Sequence, residues 1–102
     1  MNQPKLTVEI ISGPLDGHEV TIESMAEWSR LGDGVLSFPW DETLGAPQAR
    51  FFFAEDRWWL EPLANQRSTR HNGEPINGKI ALSEGDWLKA AATWLIVKGI
   101  TK

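Results

Sequence analysis

"ARFFFAEDRWWLE", Ala49 to Glu61, decides the fold. Two runs rich in Phe and Trp, residues that suit a pleated half-buried surface, flank a short charged stretch. With Ala54 to Arg57 as a four-residue loop, Phe53 stands opposite Trp58, Phe52 opposite Trp59 and Phe51 opposite Leu60. The pleat sends Phe51, Phe53, Trp58 and Leu60 to one face and Phe52 with Trp59 to the other. The first set reads as core, with Trp94 and Ile96 of the last strand expected nearby. The second pair needs a cover on its outer face: a loop of the chain, a partner or a second copy.

The rest of the chain reads the same way. "KLTVEII" alternates Leu6, Val8 and Ile10, and "HEVTI" brings Val20 and Ile22. Between them, "SGPLDG" is a turn rich in Gly, Pro and Asp. "VLSF", "KIAL" and "TWLIVK" supply further strands, separated by "PWDETLGAPQ", a polar loop and "SEGD". Only "ESMAEWSRL", Glu23 to Leu31, has a helical option, and it serves equally as a loop leading into a strand. Short strands at this spacing predict an all-β sandwich or barrel.

The 102 residues make one domain, with 41% hydrophobic and 24% charged residues. Zero Cys excludes disulfides, thiolate metal sites and a cysteine nucleophile, and fits a reducing compartment such as the cytoplasm. A formal charge of −4 argues against general nucleic-acid binding. No apolar run reaches the roughly 20 residues of a membrane span, and no signal-peptide pattern opens the chain. His18 and His71 lack metal-ligand spacing, and no nucleophile elbow or P-loop occurs. The carboxylate pairs Asp41-Glu42 and Glu55-Asp56 fall in turns, where such charges are solvated. The expectation is a non-enzyme without metal or cofactor.

In order along the chain, "GPLDG", "WSRLGDGVLSF", "LGAPQARFFF", "RWWLEPL", "NQRSTRHNGEPI" and "LSEGDWL" resemble the motifs of a forkhead-associated (FHA) domain. The resemblance covers nearly the whole chain. It implies an FHA-like (SMAD/FHA-type) sandwich of two antiparallel sheets over residues 1–102, binding peptide through loops at one end. The family's usual activity is recognition of phosphothreonine in a protein partner. Arg30 stands where the family has its phosphate-contacting arginine. Gly45 stands for the phosphate-binding serine, Gln48 for the histidine that braces the loop, and Arg67 for the peptide-binding asparagine. Ser68 replaces a glycine, while Thr69, Asn72 and Gly73 match. Ala91 sits near the position of another family glycine.

The resemblance makes Arg30, Gly45, Arg67, Ser68, Thr69 and Arg70 candidate phosphopeptide-binding residues. Phe52, Trp59 and Asn72 are candidate partner-binding residues. Thr69, Asn72, Gly73, Gly85 and Asp86 also read as turn residues that shape the loops. Hydrogen bonds to a charged group contribute about 1.5–3 kcal/mol each, so losing the donors at positions 45 and 67 costs about 3–6 kcal/mol. The expected function is a protein-interaction module that depends weakly or not at all on phosphate. Two alternatives stay open. One is a phosphothreonine reader with a site rewired onto Arg30, Ser68, Thr69 and Arg67. The other is a structural subunit that self-associates through exposed aromatics. Neither nucleic acid nor membrane is an expected partner.

Overall fold

A strand facing another sheet buries every second side chain, as the first and last strands of this chain do. The computed structural model describes residues 3–32, 34–63 and 68–101; Arg67 lies outside them. Eleven strands run through the described residues: β1 (Lys5–Ile10), β2 (Glu19–Ile22), β3 (Met25–Ser29), β4 (Leu36–Ser37), β5 (Ala49–Ala54), β6 (Arg57–Pro62), β7 (Thr69–His71), β8 (Glu74–Pro75), β9 (Ile80–Ala81), β10 (Trp87–Ala90) and β11 (Thr93–Thr101). One sheet has the order β2-β1-β11-β10-β7-β8, the other β4-β3-β5-β6-β9. All pairings are antiparallel except β3 with β4, which is parallel. Among the described residues no helix is long and apolar enough to cross a membrane.

The Phe–Trp hairpin has the expected register: Phe51 pairs with Leu60, Phe52 with Trp59 and Phe53 with Trp58. Its turn is tighter than expected. Ala54 and Arg57 pair as the last rung, so the loop is only Glu55 and Asp56. Both have positive φ, 56° and 60°, the backbone of a type I′ turn whose twist suits a hairpin. Shortening a loop by one residue on each strand leaves the register unchanged, so the facing of every aromatic survives. The segment with a helical option is strand β3, with Ala26 and Trp28 turned inward. The polar stretch around Asn72-Gly73 contains the β7–β8 hairpin, and Trp87–Ala90 adds β10.

Trp28, Phe38, Phe51, Trp58, Leu60, Leu88, Leu95 and Val97 fill the space between the sheets. Trp28 stacks near Phe51, and Phe53 meets Trp58 edge to face at 5.5 Å. The Trp58 indole N–H also donates to the Thr101 carbonyl at 3.4 Å, linking the sheets. The last strand corrects the sequence reading. Leu95 and Val97 face the core, whereas Trp94 and Ile96 lie on the outer face and are half-buried. Both sets are apolar, so alternation alone does not choose between them. Pairing does: Leu95 and Val97 stand beside Ile10 and Val8, which are buried. Outside, Trp94 stacks on Trp87 at 5.2 Å under Lys89.

Replacing a buried aromatic strips transfer energy and leaves a cavity. Trp58→Ala is expected to lower unfolding free energy by about 3–5 kcal/mol, a large share of the ~5–15 kcal/mol usual for a domain. Trp94→Ala should cost clearly less. Urea denaturation of both variants checks the facing; equal losses would contradict it.

Candidate functional site

At the start of β5 the chain places a primary amide where no water reaches it. Gln48 is fully buried, and its backbone N–H donates to the Trp28 carbonyl while its own carbonyl accepts from Leu63. Its side chain reaches in two directions. Oε1 accepts the Gly45 N–H at 2.8 Å, and Nε2 donates to the Thr69 hydroxyl at 2.8 Å. The Gly45 carbonyl in turn accepts the Arg30 N–H at 3.0 Å. One buried glutamine therefore joins the turn after β3, the loop before β5 and the first residue of β7 in the opposite sheet. Arg30, Gly45 and Thr69 are brought together through it. In the sequence Gln48 was a replacement for a bracing histidine; here it forms hydrogen bonds that brace the loop.

The sequence-predicted residues take different positions around this joint. Arg30 is half-buried, and its guanidinium has no hydrogen bond or ion pair with any described residue. Gly45 offers no side chain, and its N–H is taken by Gln48. Ser68 is exposed. Thr69 is buried at 1% exposure, its hydroxyl turned into the sandwich. Arg70, the next residue along β7, points outward and donates to the Gly73 carbonyl at 3.1 Å. Arg67 lies outside the described residues.

Asn72 occupies the turn with φ 52°, and its side chain is engaged at both ends. Oδ1 accepts the Trp87 N–H at 2.9 Å, and Nδ2 donates to Asp86 at 3.2 Å. Asp86 also accepts from the Ser83 N–H at 2.9 Å and lies 2.8 Å from His71 Nε2. Burial opposes its charge, but the hydrogen bonds from His71, Ser83 and Asn72 outweigh burial and hold its carboxyl below the ordinary value.

Asp41 was expected to be a solvated turn carboxylate, and the structure corrects this. It is buried at 5% exposure. It accepts from the Ala92 N–H at 3.0 Å, the Thr93 hydroxyl at 2.7 Å and the Thr43 hydroxyl at 3.3 Å. The loop leading to Gly45 is thereby pinned to the β10–β11 turn across the sandwich. Thr43, two residues on, was the available signal for such a turn.

Phe52 and Trp59 are not at this end. They form a cross-strand pair on the outer face of the five-stranded sheet, both half-buried. Their covers belong to the chain: Arg50 lies over the Phe52 ring at 5.2 Å and Lys79 over the Trp59 ring at 4.7 Å. The Trp59 indole donates to the Ala54 carbonyl at 2.9 Å.

No protein-family model matches the sequence, and no curated protein does. Solved structures do. An FHA domain of an Arabidopsis thaliana hypothetical protein superposes with a TM-score of 0.85 at 19% identity, over 98% of this chain and 89% of that one. The kinase-interacting FHA domain of the Arabidopsis kinase-associated protein phosphatase gives 0.82 at 17% identity, over 100% and 98%. An FHA domain from a study of phosphothreonine-dependent interactions gives 0.78 at 18% identity, over 93% and 96%. Likeness at this identity establishes the fold: the chain is a β-sandwich of the FHA type.

Gln48→Leu keeps the volume and removes the amide. It should destabilise the protein by about 1–3 kcal/mol for each polar group left stranded, and amide exchange at Gly45 should speed up. Unchanged exchange there would mean the brace is not holding the loop. The Asp86 carboxyl has a folded pKa below its unfolded one. Its stabilisation is therefore present above the unfolded value, near 4, and is lost as pH falls through the folded value. Asp86→Asn should lower stability at neutral pH and flatten this acid limb in denaturation measured from pH 7 down to about 2.

Proposed function

We propose that this FHA-type sandwich is a non-enzymatic protein-interaction module whose loop end, around Arg30, takes a partner with little help from phosphate. The observation that carries this is the inward turn of the polar groups there. Gly45 N–H and the Thr69 hydroxyl both bond Gln48, and Asn72 bonds Asp86 and Trp87. A phosphothreonine presents about −1.5 to −2 charges and needs a cation with several donors. Arg30 can supply the cation, and a bidentate guanidinium contact suits carboxylate as well as phosphate. Exposed Ser68 adds one hydroxyl. Two charged hydrogen bonds fewer amount to about 3–6 kcal/mol, or two to four decades of affinity.

Relatives in fold support the interaction class, since one is described as kinase-interacting and another as phosphothreonine-dependent. The rewired phosphate reader is the second reading. It uses Arg30, Ser68 and Arg67, the last outside the described residues, but also needs Thr69, whose hydroxyl is buried against Gln48. A cysteine-free chain of this class suits signalling in the cytoplasm.

Titration of isotope-labelled protein with a phosphothreonine peptide pool and its unphosphorylated twin, followed by NMR, tests the reading. The expected phosphate-dependent affinity is roughly millimolar or weaker. Micromolar binding of the phosphorylated pool, lost on Arg30→Ala and weakened by salt, would establish the phosphate reader instead.

A further inference from the structure

Away from the loop end, the outer face of the five-stranded sheet is ordered in rows. Register aligns Met25, Phe52, Trp59 and Ala81 across β3, β5, β6 and β9. The next row aligns Glu27, Arg50 and Glu61, with Arg50 paired to Glu61. Charge alternates along it, negative, positive, negative. Both rows stop at β3.

They stop at an edge that is half bare. β4 pairs only with Trp28 and Ser29, so among the described residues no strand lies beside Met25–Glu27 on that side. A cleft of about 430 Å³ opens there, lined by Met25, Glu27, Leu31, Val35 and Ser37 among others. Leu31, Val35 and Met25 are 57%, 55% and 54% exposed, the three most exposed large apolar side chains among the described residues. Unpaired backbone next to exposed apolar side chains is the setting for strand addition. Glu27 on this edge and Glu23, two residues before β3, are exposed and have no ion pair among the described residues.

We propose that this open edge of β3 takes an extended segment of a partner protein as an added strand, with an apolar residue beside Met25 and a lysine or arginine beside Glu27. The added strand lies in the lane that β4 begins. Its outward residues, two apart in sequence, continue the apolar row and the alternating charge row. Its backbone satisfies the bare edge, and its apolar side chain covers Met25, Leu31 and Val35. The charges choose the occupant. A second copy of this chain would bring its own Glu23 and Glu27 to the edge, and like charges side by side are destabilising. A basic, apolar segment meets the opposite charge. This goes beyond the loop-end reading and does not use Arg30.

The probe is an acetylated and amidated heptapeptide of threonine, with valine at its second and sixth positions and lysine at its fourth, titrated into the labelled full chain. Amide shifts should centre on Met25–Glu27 and the Leu31 and Val35 cleft. Glutamate in place of the lysine should weaken binding about five- to tenfold, and Glu27→Lys should reverse that preference. Glu27 is exposed and unpaired, so this variant should keep the parent's spectrum elsewhere. Of two peptides N-methylated at alternate amides, one should lose binding and the other keep it, because only one set of N–H groups faces the edge. Equal affinity for the lysine and glutamate peptides, or no shift at Met25–Glu27, overturns the proposal. So does a concentration-dependent shift at those residues without peptide, which would make a second copy the occupant.

Discussion

A buried primary amide constrains the loop end of this fold. Gln48 is enclosed where β5 begins, so its donor and acceptor must be satisfied inside the protein. The partners it finds are Gly45 on one side and Thr69 on the other. Because Thr69 opens β7 in the facing sheet, a single side chain ties the loop before β5 to the opposite sheet. Asp41 does the same a few residues earlier, through Ala92 and Thr93. Each removal strands a buried group, and that asymmetry makes such joints rigid.

Rigidity at the loop end has a cost in chemistry. A donor already bonded inside the protein cannot also meet a ligand without breaking that bond. Gly45 N–H and the Asn72 amide, in positions the resemblance marked for binding or shaping the loops, are bonded in this way, and the Thr69 hydroxyl, which accepts from Gln48, is buried. The Arg30 guanidinium, a fork of N–H donors, stays unpaired among the described residues, while Arg70 is held on its own turn.

The parts legible in the sequence are those where one physical signal acts alone. The Phe–Trp hairpin was legible because its register depends on loop parity, and a two-residue turn has the same parity as the four-residue one expected. The alternation of Leu6, Val8 and Ile10 was legible because only one face is apolar. The last strand was not, since Trp94 and Ile96 compete with Leu95 and Val97 and only pairing separates them. Asp41 was misread because composition marks a turn but not what packs over it. The β7–β8 hairpin hid in a polar stretch because Arg70, Glu74 and Pro75 face solvent and leave no alternation to see. Of the candidate site, the resemblance named Arg30, Gly45 and Thr69; the bonds that Gly45 and Thr69 make needed the partner, Gln48, and its burial.

Sheet edges show where the remaining freedom of the molecule lies. Exposed edges invite pairing, and proteins blunt them with proline, charge or brevity. β8 is two residues long and ends in Pro75, whose nitrogen carries no hydrogen to donate. β9 is also two residues, next to Lys79. β2 is longer but opens on exposed Glu19. β4 is equally brief, yet its brevity has the opposite effect: it leaves Met25–Glu27 of β3 bare instead of ending the sheet. Among the described residues no strand replaces the missing pairing, and exposed carboxylates there disfavour a like-charged strand and favour a basic one. Two strands of equal length thus end the same sheet differently, closing it at β9 and leaving it open at β3.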